Sequence, residues 1–262
     1  MTAPQQIFVG QETRYFLGQG KVFFDLIDPI TKQPMDKARF VGNVPEDGFV
    51  ITPTVQKVEH MESMTGKNRK DVVLETQQSL QITVRLESVD VENLAQAIFG
   101  TTTIIPQGTV TDETHTAHKG RSFFLNRINL TSFTSITPTA VLGTDYNVNL
   151  KTGEVFIPQN SAIPDASDVQ CSYVAGAIKR ISGYTALNSE LWVRFNGLNM
   201  ADKLNPIVAE VFKVRFNPAS ALDFIKNAFP GTQLELTGEG LYEPALETVP
   251  GYEGGMYRIF TV

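Results

Sequence analysis

The chain has 262 residues, 42% of them hydrophobic, which is enough apolar material for a core and excludes a globally disordered chain. Its 28 acidic and 22 basic residues leave a net charge of −6, which argues against a surface that grips nucleic acid but not against one that DNA merely passes. The single cysteine, Cys171, excludes an internal disulfide framework and fits synthesis in a reducing cytoplasm. The opening MTAPQQIFVGQ has no basic region followed by an apolar run, and no stretch approaches eighteen apolar residues, so neither a signal peptide nor a membrane span is expected.

In chain order, Gly18-Gln19-Gly20 reads as turn geometry, since it lacks the rest of a phosphate-binding fingerprint. KVFFDLID (21–28) reads as a strand stopped by Pro29. FVITPTVQKVEH (49–60) is a second strand, with Pro53 marking an edge, a bulge or a register break. The polar stretch MESMTGKNRKD (61–71) is too long for a two-residue turn and reads as a flexible arm at the end of an extended hairpin. KDVVLETQQSLQITVRL (70–86) follows. Alternation puts Val72, Leu74, Leu80, Ile82, Val84 and Leu86 on one face and Val73, Glu75, Gln77, Ser79, Gln81, Thr83, Arg85 and Glu87 on the other. That pattern predicts one buried and one polar face along nearly the whole strand, as in a sandwich strand with a solvated outer side.

DVENLAQAIFG (90–100) changes to helical spacing, with Asp90 as N-cap and Gly100 as stop. From about 103 the composition turns to Thr and Ser. FFLNRINL (123–130), TDYNVNL (144–150), EVFIP (154–158) and VQCSYVAG (169–176) read as short strands, and Lys151-Thr152-Gly153 as a hairpin turn. Longer strands return with ELWVRFNG (190–197), EVFKVRF (210–216), QLELTGEGLY (233–242) and GMYRIFTV (255–262). NPASALDFIKNAFPG (217–231) reads as a short helix or a strand. The expected fold is mainly β, a sandwich or barrel with a flanking helix. It is formed by 1–102 and 183–262, with 103–182 inserted as a small β module.

Catalytic chemistry finds little footing. His115 and His118 lie in TDETHTAHKG beside Asp112 and Glu113, a metal-compatible spacing in what reads as a solvated polar loop. Cys171 sits between Val169 and Tyr173 on one strand face and reads as a small buried hydrophobe. No G-x-S-x-G occurs and no carboxylate pair stands out as acid and base. No catalytic residue, cofactor or metal site is expected.

The order of segments resembles a known family. GQGKVFFD (18–25), ARFVGNVPE (38–46), VEHMES (58–63), SLQITVRLES (79–88) and VDVENLAQAIFG (89–100) succeed one another as in the major tail tube proteins of long-tailed bacteriophages. NPASALDFIKNAFPGTQLELTGEGLY (217–242) is similar to the closing strands of that family. GTDYNVNLKTGEVFIP (143–158) looks like a small immunoglobulin-like module found in many phage tail components.

The resemblance implies a β-sandwich with a flanking helix. It implies self-association into hexameric rings whose strands join an inner barrel and which stack into a tube. DNA is then in transit through the lumen, and the other partners are the tail terminator, the baseplate or tip, and the tape measure. The expected place is the virion tail, with host cytoplasm during assembly. Glu75, Gln77, Ser79, Gln81, Thr83 and Arg85 become candidates for the lumen wall, and Met61, Met64, Lys67, Arg69 and Lys70 for an arm that docks on a neighbouring subunit. A polar, net-acidic wall would let DNA slide. The runner-up from the Thr-rich middle and Trp192 is a β-sandwich adhesin or carbohydrate-binding module; a hydrolase lacks a constellation.

Overall fold

The structure, a computed structural model, describes residues 15–187, 189–227 and 231–262, without the side chain of Ser135. The chain is mainly β with antiparallel sheets and few helices. It divides into two compact units, one formed by Met1–Gly100 with Gly183–Val262 and the other by Thr101–Ser182.

The first half of the larger unit runs β1 (Gly18–Leu26), β2 (Arg39–Phe40), β3 (Phe49–Met61), β4 (Lys70–Leu86) and α1 (Val91–Ala97). The smaller unit carries β5 (Thr101–Ile105), β6 (Gly108–Ala117), β7 (Arg121–Phe124), β8 (Leu130–Thr137), β9 (Asn147–Asn149), β10 (Glu154–Ile157), β11 (Ser167–Ala175) and β12 (Ile178–Ser182). The larger unit resumes with β13 (Glu190–Asn199), β14 (Asn205–Phe216), β15 (Leu234–Gly240), α2 (Pro244–Glu247) and β16 (Tyr257–Thr261).

In the larger unit one eight-stranded sheet has the order β2-β1-β13-β14-β15-β4-β3, with β16 also on β14. The sheet folds over its own apolar face. Val22 and Phe24 of β1, Leu80 to Leu86 of β4 on alternate positions, Val193, Val214, Phe216 and Leu236 form one buried cluster. Phe24 meets Phe216 at 5.2 Å between ring centroids, and Phe49 of edge strand β3 stacks on Phe195 of β13 at 5.8 Å. Pro53 lies on that edge strand, where its missing N–H costs no ladder bond within the sheet.

Gly18-Gln19-Gly20 corrects the turn reading: it opens β1 and pairs with Asn199, Leu198 and Gly197. Gly20 and Gly197 face each other, and a Cβ on Gly20 would come within 2.3 Å of Asn196 O. The Phe195 ring covers both glycines, supplying the apolar contact they lack.

Asp90 caps α1 as its position predicts, accepting from Asn93 N at 2.7 Å. The helix ends sooner than expected, because Phe99, not Gly100, adopts the left-handed conformation (φ 50°). Residues 217–227 are neither helix nor strand. Ala219 N–H satisfies the Ala97 carbonyl at 2.7 Å, and Ala219 and Leu222 pack on the core, so these two residues anchor the loop over the end of α1, while Phe224 and Ile225 are exposed. Residues 228–230 of the stretch read as a helix or a strand lie outside the described residues.

The expectation of one buried face along all of β4 is corrected. Only Leu80–Leu86 alternates between buried and open; 70–79 is exposed at every position. β15 ends at Gly240 opposite Leu80, so beyond that point β4 keeps β3 as its neighbour, and among the described residues no second layer covers the two-stranded ribbon.

In the smaller unit, β7-β10-β9 and β6-β11-β8 form two three-stranded sheets around Leu125, Ile136, Val155, Ile157, Val169, Cys171 and Tyr173; β5 pairs with β12. The stretch read as a solvated loop around His115 is β6. Asp112 at φ 53° forms a bulge in it, which a period-two reading misses. FFLNRINL is likewise not one strand: β7 stops at Phe124, Leu125 N–H bonds to Gly153 O, and Asn129 turns at φ 58° into β8.

Candidate functional site

The polar side of the large sheet is built by cross-strand register. Arg85 faces Glu235, Thr83 faces Thr237 and Gln81 faces Glu239 across β4 and β15. Arg85 Nε donates to Glu235 Oε2 at 2.9 Å, so it has a counter-charge within its own chain. Glu239 in turn lies opposite Arg215, and Lys213 Nζ sits 3.3 Å from Glu190 and 3.2 Å from Glu243. Burial alone would lower the Lys213 pKa, but the bonds from Glu243 and Glu190 outweigh it and hold the ammonium charged. The face therefore alternates charge, and its Arg85 and Lys213 are held by carboxylates of the same chain. Exposed pairs of this kind add little stability but leave few free cations for a phosphate backbone.

Gln77 pairs with Gln56, but the next β3 residue, Lys57, pairs with Glu75. One extra residue, Thr76, is accommodated in β4, and its hydroxyl reaches Gln56 O at 3.4 Å. β3 alternates without a break here, so the bulge reverses the parity of β4 beyond it. Gln77, Ser79, Gln81, Thr83 and Arg85 share one side; Glu75 falls on the other, 3.3 Å from Lys57. Val72 and Leu74, paired with His60 and Val58, move to the side of Gln77. The expectation that Glu75 joins the polar face, and that Val72 and Leu74 join the core face, is overturned by this one inserted residue.

Of the arm residues, Met61 ends β3 and Lys70 opens β4, so the connection is 62–69. It is closed by Glu62 N–H to Arg69 O at 2.8 Å, and the Glu62 carboxylate accepts from Thr65 N–H at 3.1 Å and from its hydroxyl, which holds the carboxyl below the usual range. Lys70 is already paired with Glu59, and His60 Nδ1 lies 2.6 Å from Asp71. Among the described residues, Lys67 and Arg69 form no ion pair, in contrast to Lys70. Met64 is 93% exposed at the tip, and Val58, Val72, Val73 and Leu74 are exposed along the ribbon. Where β4 leaves β15, a hollow of about 580 Å³ is lined by Gln77, Ser79, Gln81, Gly240, Tyr242 and Met256.

The smaller unit holds the buried chemistry. Glu113 accepts from Tyr173 Oη and bonds His115 Nε2, both at 2.6 Å, and takes Asn126 N–H at 2.9 Å; the His115 ring stacks on Phe123. Burial pushes the Glu113 carboxyl up, but these three bonds outweigh it and hold it below the ordinary glutamate range. Cys171 is fully buried and its thiol is pushed up to about 12, first by burial and then by Glu113, so it stays neutral and unreactive at neutral pH. His118 lies apart from this cluster, 3.7 Å from Asp165. Among the described residues, no three metal-ligating side chains converge, and no helix is long and apolar enough to cross a membrane.

One feature escapes a strand-by-strand reading. Phe124 and Phe156 are 65% and 39% exposed on the outer side of the β7-β10-β9 sheet. In the sequence each looks like core, because Phe123 and Val155 beside them share the same chemistry.

A comparison with curated proteins finds no match. A family model described as "Protein of unknown function UCP028589" matches residues 15–255, and the chain belongs to that family.

Proposed function

We propose that this chain is the repeating subunit of a bacteriophage tail tube, a structural protein that assembles into stacked hexameric rings through which DNA leaves the virion. The observation that carries this reading is the ribbon of Thr54–Met61 and Lys70–Ser79. It extends past the end of β15 with aliphatic side chains exposed on both sides. An isolated two-stranded ribbon is marginal in water, and open strand edges invite pairing. A chain that keeps both is suited to burying them against further copies. The polar side of the same sheet supports the lumen assignment of Gln77, Ser79, Gln81, Thr83 and Arg85, since Arg85 is paired with Glu235 and Lys213 with Glu190 and Glu243. The resemblance of residues 18–100 and 217–242 to tail tube proteins supplies the ring and the tube.

Negative-stain electron microscopy of the purified protein at increasing concentration tests it. Rings or tubes with a stain-filled lumen are expected. A monodisperse monomer at every concentration, by microscopy and by light scattering, overturns the reading.

A further inference from the structure

The outer side of the β7-β10-β9 sheet is a small checkerboard. Cross-strand register puts Phe124, Glu154 and Asn149 in one row and Ser122, Phe156 and Asn147 in the next. The inner positions of the same strands, Val155 and Ile157, are fully buried, so this side is the unit's surface. Phe124 and Phe156 are thus diagonal neighbours, with backbone positions about 7–8 Å apart by sheet geometry, each flanked by short amide, hydroxyl or carboxylate groups. Ser122 Oγ donates to Glu154 Oε1 at 2.7 Å, and the Asn149 carbonyl accepts from Lys151 N–H at 3.0 Å, so both polar groups are held in place.

We infer that this face is a docking site for a neutral, hydroxyl-rich carbohydrate. A pyranose ring has an apolar C–H face and a rim of hydroxyls. It matches a phenyl ring bordered by groups that accept and donate hydrogen bonds at the ring's edge. The charge of the six positions selects further: they carry one carboxylate, already hydrogen-bonded, and no cation. That composition suits a neutral glycan and disfavours nucleic acid or an anionic polysaccharide, which would need Lys or Arg. It also differs from the apolar centre of a protein–protein interface, because polar side chains separate the two rings. The inference goes beyond the tube reading and does not depend on it.

The test is native affinity electrophoresis of the full chain in gels containing dextran, laminarin or soluble starch, with heparin as the anionic control. Retardation in at least one neutral gel and none in heparin is expected. Phe124→Ala and Phe156→Ala should each weaken retardation by about two- to tenfold, while Phe156→Tyr retains it. Both positions are exposed, so the variants keep the fold, which circular dichroism checks. Migration unchanged in all three neutral gels overturns the proposal. So does a shift in heparin alone, or a change in oligomeric state on substituting the two phenylalanines without any change in retardation.

Discussion

At the scale of single residues, one buried and one half-buried polar group each tie several elements together. Asn93 is fully buried in α1. Its amide donates to Val41 O and Ser88 O, both at 2.8 Å, and its carbonyl accepts from Arg39 Nη1 at 2.6 Å, so one side chain joins helix, β2 and the strand-to-helix link. Asn93→Leu keeps the branching of the side chain but strands two carbonyls and removes one partner of the Arg39 guanidinium, which keeps Glu92 at 3.1 Å. We expect a loss of about 2–4 kcal/mol in urea unfolding, with the fold retained. The second group is Glu113. Its folded pKa is depressed, so its contribution is present above the unfolded glutamate pKa and disappears as pH falls through the folded value. Melting curves of the full chain between about pH 7 and about pH 3 should show the transition of the smaller unit falling on acidification below about pH 4.5. Glu113→Gln should lower stability at neutral pH and flatten that dependence. A Gln variant with the wild-type pH profile would assign the acid lability to other carboxylates.

At the scale of the element, the β3–β4 ribbon is the part that needs other copies. β4 has 17 residues, roughly 55 Å of strand, and its first ten are open on both sides. Leu74 is 59% exposed and touches no core. Leu74→Asp should therefore change monomer stability by less than about 0.5 kcal/mol, yet sharply reduce ring or tube yield. At the tip, Lys67→Glu with Arg69→Glu should do the same, because these two cations, unlike Lys70, are not engaged by Glu59. Sedimentation velocity of each variant against wild type reads both effects. Full assembly by both variants would remove the ribbon from the interface.

For the whole molecule, the smaller unit enters and leaves through one antiparallel ladder. Thr101 and Ser182 are register partners at the end of β5 and β12, which places their Cα atoms about 5 Å apart. Joining Gly100 to Gly183 therefore closes the larger unit with little strain. The large sheet and its core cluster contain no residue from 101–182. The excised chain should unfold in one cooperative transition and, on the tube reading, still form rings. A soluble, cooperatively folded variant that never assembles would place residues 101–182 in the ring contacts, while a variant that fails to fold would show the larger unit to depend on the smaller.

By itself the sequence determined what is local. The mainly β character, the alternation of Leu80, Ile82, Val84 and Leu86, the Asp90 cap and the turn at 151–153 all follow from neighbouring residues and were readable as such. Tertiary structure decided whatever depends on a distant partner. Val72 and Leu74 alternate as well as Ile82 and Val84, yet stay in water, because β15 stops at Gly240 and Thr76 reverses the parity of the strand. Arg85 finds its counter-charge 150 residues away, at Glu235. His115 is drawn into a strand beside Glu113 by pairing with β11, and Phe124 faces solvent while its neighbour Phe123 packs inward. A strand's period sets which residues share a side, but only the layer opposite decides whether that side is covered, and that layer comes from elsewhere in the chain.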